Sequence, residues 1–198
     1  MQHDVTKISD RVDAGVEKST EASNGVRVGG VFTVVCQDKD GNVKWEESFH
    51  NTVTQTGLKD MNDKYFTGST YSATWYLGLV NNSPSPTITS SNTAGGITTN
   101  GSGSNSWAEF TGYSQSTRPA ATFGASTTAD PSVIATSAAS AFSITSTATV
   151  YGAFLISNST KGGTTGVLFS AGAFTGGNRS VVNGDTLNVS YQLSNDGT

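Results

Sequence analysis

Catalysis and metal binding draw on few side-chain types: histidine, cysteine, carboxylates, and a hydroxyl held beside a base. The chain has two histidines and one cysteine. A Ser-His-Asp triad would have to use His50, because His3 sits in a polar N-terminal stretch. Serines are so abundant that pairing one with His50 carries no information, and no G-x-S-x-G elbow occurs. Cys36 lies in an apolar run. A single cysteine excludes an internal disulfide and a cysteine-built metal site, and reads as a buried thiol. Beyond residue 65 the carboxylate side chains are Glu109, Asp130, Asp185 and Asp196. Glu109 with Asp185 is the pair that a glycosidase would need. Each has a simpler reading, Asp185 in an Asn183-Gly184-Asp185 turn and Glu109 alternating with Trp107 and Phe110 along a strand.

Three further patterns resemble sites and fail on spacing. Asp38-Lys39-Asp40-Gly41-Asn42 opens like a calcium loop, but the sixth and twelfth positions hold Val43 and Phe49 instead of glycine and an acid. Lys161-Gly162-Gly163-Thr164-Thr165-Gly166 places its lysine at the wrong end for a phosphate loop, and Gly176-Gly177-Asn178-Arg179 is no better. Trp75, Tyr76, Trp107 and Tyr113 have faces that could stack on sugars, but both tryptophans lie in apolar strands and read as core. The residues therefore point to a non-enzymatic chain with no catalytic, metal or cofactor site.

The elements that position these residues are mostly strands. Val31–Cys36 and Val43–Phe49 flank Asp40-Gly41, a dipeptide suited to a tight hairpin turn. Thr56 as cap, with Leu58, Met61 and Tyr65 on one face, predicts a helix over 56–66 stopped near Gly68. Further strands are expected at Thr74–Val80, Trp107–Phe110, Ala141–Thr145, Ala148–Ser157, Val167–Ser170 and Thr186–Leu193. Residues 81–105 and 124–140 are rich in Ser, Thr, Asn and Gly and read as polar loops. The expected fold is mainly β: a β-sandwich or jelly roll over 26–198, one short helix, and an extended N-terminal arm over 1–25.

Charge is scarce and uneven. Asp, Glu, Lys and Arg make up 13% of the chain, about half of ordinary usage. Nineteen of these 26 residues lie in 1–65 and seven in 66–198. Nine Phe, six Tyr and three Trp supply rings for a core. The net charge of −4 and the absence of a basic block disfavour nucleic acid as a partner. There is no N-terminal charged-then-apolar signal and no apolar run of membrane-spanning length, which predicts synthesis in a cytoplasm and no membrane partner. In the arm, Val5, Ile8, Val12 and Val16 recur at spacings of three or four, a weak apolar stripe. With Val31 and Trp45 of the first hairpin, they are the expected partner contacts.

Several segments together resemble a family of small virion proteins of tailed phages. They are Asn51–Met61, Trp75–Leu79, Trp107–Tyr113 through Ser116–Pro119, Gly152–Leu155, Thr160–Gly166 and Val182–Leu187. The resemblance spans roughly residues 26–193, and its motifs are strands and turns with no catalytic signature. Members are commonly encoded with head genes. It implies a β-rich structural component of the virion that cements or decorates the outer capsid surface. The implied partners are the major capsid protein and further copies of the chain as a dimer or trimer. A tail or fibre protein that reads a host-surface glycan through loops 81–105 and 124–140 is the alternative.

Overall fold

The computed structural model describes residues 25–71, 74–82, 86–98 and 107–197. The arm residues Val5, Ile8, Val12 and Val16 lie outside them. Strands dominate, and most alternate inward apolar with outward polar side chains. In β1 (Arg27–Gln37), Phe32, Val34 and Cys36 point inward while Val31, Thr33 and Val35 face out. β1 pairs with β2 (Val43–His50) across a turn at 38–42. This turn is wider than a two-residue hairpin because Asp38 organises it. The Asp38 carboxylate accepts the Asp40 and Asn42 amides, both at 2.9 Å, and Gly41 takes a φ of 87°. Hydrogen bonds from Asn42 hold that carboxyl below its ordinary pKa.

Two curled sheets pack face to face. The first runs β2-β1-β13-β8, with β9 sharing the β13 edge (β8 Ser132–Ala135, β9 Ser140–Ser143, β13 Thr186–Asp196). The second runs β3-β11-β10-β4-β6-β5, with β12 on β10 and β7 on β4. Its strands are β3 (Thr52–Val53), β4 (Trp75–Asn81), β5 (Ile97–Thr98), β6 (Trp107–Phe110), β7 (Ala120–Ala121), β10 (Ala148–Ile156), β11 (Leu168–Ala173) and β12 (Arg179–Val181). The pairings are antiparallel except β5 with β6. The expected β-sandwich with one helix is thus the fold.

Each face of the second sheet is apolar. Leu77, Leu79, Val150, Ala153 and Leu155 meet Phe32, Val34 and Phe49 of the first sheet. Val80, Trp107, Phe154 and Ile156 form a second core on the outer face, covered by Ile88, Ala94 and Ile97. Residues 86–98 therefore do not form an open polar loop; their few apolar side chains close this outer core. Gly78 makes the arrangement possible, since a Cβ there would lie 2.1 Å from the Phe154 ring. Residues 124–140 also depart from the loop reading, because β8 within them pairs along β13.

Asn51 pins the corner where the chain passes from the first sheet to the second. Its amide donates to Gly30 O at 3.0 Å, its Oδ1 accepts Gly30 N at 2.7 Å, and its Nδ2 donates to the Tyr191 hydroxyl at 2.7 Å. The one α-helix among the described residues, α1 (Gln55–Phe66), starts one residue earlier than expected. Thr54, which is buried, caps it instead, accepting the Gly57 amide at 3.0 Å and donating to Leu168 O. Gly57 is the helix's buried residue; a Cβ there would sit 2.6 Å from Phe169 O. The helix docks by its first turn and then leaves the body, so its Leu58, Met61 and Tyr65 face is not a core face.

Candidate functional site

The two carboxylates of the hydrolase pattern each sit in a separate ion pair. Glu109, on β6, is buried with Arg118, itself buried on the segment that returns toward β7. Arg118 Nε donates to Glu109 Oε1 at 3.1 Å and Nη2 to Oε2 at 2.7 Å. The remaining guanidinium donors reach Asn158 O at 2.9 Å and Gly163 O at 2.7 Å. Glu109 also accepts the Gly162 amide at 2.8 Å and the Tyr113 hydroxyl at 3.3 Å. Burial first, and then the Glu109 charge, push the Tyr113 phenol well above its ordinary pKa. The glycine loop at 161–166 is thereby tied to β6, and Lys161 lies 4.4 Å from the Tyr113 ring centroid. The loop is a turn stapled from inside, with its lysine donating to Tyr113 O.

Asp185 is buried at the opposite end of β1 from the Asn51 corner. It accepts Lys44 Nζ at 2.6 Å and the Val182 amide at 2.9 Å. The Cys36 thiol faces it at 3.8 Å. Burial and then the Asp185 charge push that thiol up to about 12, while the hydrogen bond to Asp185 raises Lys44. His50 is exposed at the end of β2. Among the described residues no group of three or more His, Cys, Asp or Glu is placed to hold a metal ion. No helix among them is long and apolar enough to cross a membrane.

Of the hairpin residues expected to touch a partner, Val31 is half-buried on the outer face of β1. Trp45 is also half-buried, its ring 5.5 Å from Phe174 in an edge contact and its Nε1 donating to Ser180 O at 3.4 Å. Trp107 is core, as its apolar strand implies, and Tyr113 is buried as well, whereas Trp75, read the same way as Trp107, is only half-buried against the core.

The site that residue types alone do not announce is a groove of about 640 Å³ at one open end of the sandwich. Buried Leu155, Phe169 and Tyr191 line it together with Phe123, Ile134 and Leu193, with Trp75 and with α1. Asp60, Lys64, Tyr65 and Tyr71 stand at the rim. Several of its polar atoms have partners within the protein. Trp75 Nε1 donates to the Tyr71 hydroxyl at 2.9 Å, and Lys64 Nζ to Thr70 O at 2.8 Å. The Tyr191 hydroxyl is held by Asn51 and by Ser170 at 3.3 Å, and burial pushes its phenol up to about 12. Beside the groove, Tyr65 is 81% exposed, Phe66 78% and Tyr71 51%, with the rings of Tyr65 and Phe66 edge to face at 4.9 Å. The available signal was the run of four aromatics Tyr65, Phe66, Tyr71 and Trp75 around a helix stop.

The chain matches no family model, no curated protein and no solved structure with which it was compared.

Proposed function

We propose that the chain is a non-enzymatic structural subunit of a virion. It binds the outer surface of a tailed-phage capsid, with the major capsid protein as partner, and stabilises contacts between capsomers. The resemblance in strand and turn motifs supplies the virion context. The observation that carries the binding role is the knob formed by Tyr65, Phe66 and Tyr71. Exposed clustered rings contribute little to folding, and each removes roughly 150–250 Å² from water when a partner covers it. The knob stands on a helix anchored through Thr54 and Gly57, so a partner meets it ready-formed. Binding across a capsomer seam favours the closed shell by mass action. Copies of the chain associate with one another as a dimer or trimer on that shell.

The test is co-sedimentation of the purified chain with heads that lack it, and the temperature at which those heads rupture. The wild type should bind and raise that temperature. Tyr65→Ser with Phe66→Ser should bind at least about tenfold more weakly, the scale of losing an aromatic anchor, while its urea midpoint is unchanged. Failure of the wild type to bind heads, or binding confined to tails, would overturn the proposal. A tail or fibre subunit reading a glycan is the second reading, favoured by Trp75 and Tyr71 beside the groove; specific glycan-array binding lost in Trp75→Ala would support it.

A further inference from the structure

The groove at the open end of the sandwich is too apolar to be left to water. Leu, Ile, Phe and Trp side chains dominate its lining, and the Tyr191 and Tyr71 hydroxyls and the Trp75 indole bond within the protein. Such a surface rewards aliphatic side chains. We propose that its occupant is the chain's own N-terminal segment, residues 1–24, seated through Val5, Ile8, Val12 and Val16.

Three observations select that occupant. First, the described chain enters the sandwich beside the groove. Arg27 pairs with Asp196 and Gly30 with Leu193, and Leu193 lines the groove together with Ile134 on the next strand. The entry point is thus three residues along the strand from the groove wall, roughly 10 Å at strand rise. Second, the length is sufficient. Twenty-four residues precede the described chain, and even a partly extended segment reaches far past that span, since full extension gives roughly 80 Å. Third, the composition is complementary. The segment alternates its aliphatic residues with Lys7, Asp10, Arg11, Asp13 and Glu17, and the groove rim carries both signs in Asp60 and Lys64. Tethering raises the local concentration of the segment, so the same chain outcompetes another copy unless geometry forbids it. The aliphatic residues that the sequence offers as contacts for the shell here find their partner inside the subunit, and the Phe66 side of the knob stays free for the shell.

The test uses the full chain with a spin label on Ser9→Cys. The native Cys36 is buried with a raised pKa, so the engineered thiol is the one that reacts. Signals of Thr122, Phe123, Ile134 and Leu193 should be lost through relaxation by the label and return on its reduction. Ile8→Asp with Val12→Asp, carrying the same label, should restore them without changing the spectrum of the body. Mixing spin-labelled, isotope-free chain with isotope-labelled, label-free chain should leave the groove signals intact. Intact groove signals in the singly labelled chain, loss that survives the double aspartate change, or loss in the mixed sample (a second copy as occupant) would each overturn the proposal. Capsid binding is not read in any of these experiments, so their outcome is independent of the virion role.

Discussion

Replacing Arg118 with methionine removes a buried cation and leaves its partner behind. Glu109 would keep the Gly162 amide and the Tyr113 hydroxyl but lose both guanidinium bonds. Asn158 O and Gly163 O would lose their Arg118 donors as well. Breaking one side of a buried ion pair costs about 3–5 kcal/mol, because the stranded charge stays out of water. For a domain of this size that is a fall in Tm of roughly 6–20 °C, taking about 2–4 °C per kcal/mol. Glu109→Leu/Arg118→Met removes both charges, and the strongest penalty with them. It still orphans the two loop carbonyls, the Gly162 amide and the Tyr113 hydroxyl, at about 1–3 kcal/mol for each group that water cannot reach. The double variant should therefore cost clearly less than the sum of the two single changes, because neither charge is left stranded. Urea unfolding followed by tryptophan fluorescence reads this, since buried Trp107 lies two residues from Glu109 on β6. Costs of the two single changes that simply add in the double, or an Arg118→Met cost under about 1 kcal/mol, would refute the reasoning that Glu109 is held as a structural charge.

Other outcomes follow from the same contacts. Cys36, Lys44 and Tyr191 all have raised pKa values, Cys36 and Tyr191 to about 12, so the unfolded chain releases these protons first. Stability should hold below about pH 9 and fall as pH rises toward 12, with urea midpoints between pH 7 and 11 as the measure, and Cys36→Ala should flatten the earliest part of the fall. At pH 8 the native thiolate fraction of a group at about 12 is on the order of one in 10⁴, so thiol reagents should label Cys36 only in urea. Gly78→Ala should cost about 1–3 kcal/mol by pressing on the Phe154 ring and be rescued by Phe154→Leu. Gly152→Ala meets the Gly172 carbonyl at 1.9 Å, which is backbone, so no side-chain change should rescue it.

Much of the fold was legible because β1, β2, β10 and β13 carry strong β-branched or alternating patterns, and the Asp38–Asn42 and Asn183–Asp185 turns carry their own chemistry. What was not legible depends on partners distant in sequence. Residues 86–98 look like a polar loop because only Ile88, Ala94 and Ile97 are buried or half-buried hydrophobics there, and spacing cannot say that one sheet has two apolar faces. Leu58, Met61 and Tyr65 form a helical face of the expected period, but periodicity does not reveal that the helix docks end-on at Gly57 and places Met61 and Tyr65 at a groove. The groove itself is assembled from α1, β4, β7, β8, β10, β11 and β13 and the chain beside them, so no local segment encodes it. Glu109 was correctly placed on a strand beside Trp107, but its role needed Arg118 and the amide of Gly162, the latter 53 residues away.

The shortage of charge in the C-terminal two-thirds has a structural consequence that composition alone hides. Of its seven charged residues, Glu109 and Arg118 bind each other, Arg179 binds Glu47, Asp185 binds Lys44, and Lys161 reaches Tyr113. Asp130 accepts the Gly197 amide at 3.1 Å. These charges work as pins: Arg179–Glu47 joins β12 of one sheet to β2 of the other, and Glu109–Arg118 holds two loops to β6. The outer surface is left largely to Ser, Thr, Asn and Gly, uncharged groups that cost less to take out of water than a charge does, provided a neighbouring protein replaces their hydrogen bonds. A surface of that kind has weak long-range fields, so it gains its specificity from shape and from a few apolar anchors instead of from electrostatic steering. The exposed rings at the end of α1 are such anchors. Binding that depends on them should therefore change little between low and high salt, whereas binding carried by the charged arm would weaken as salt screens it.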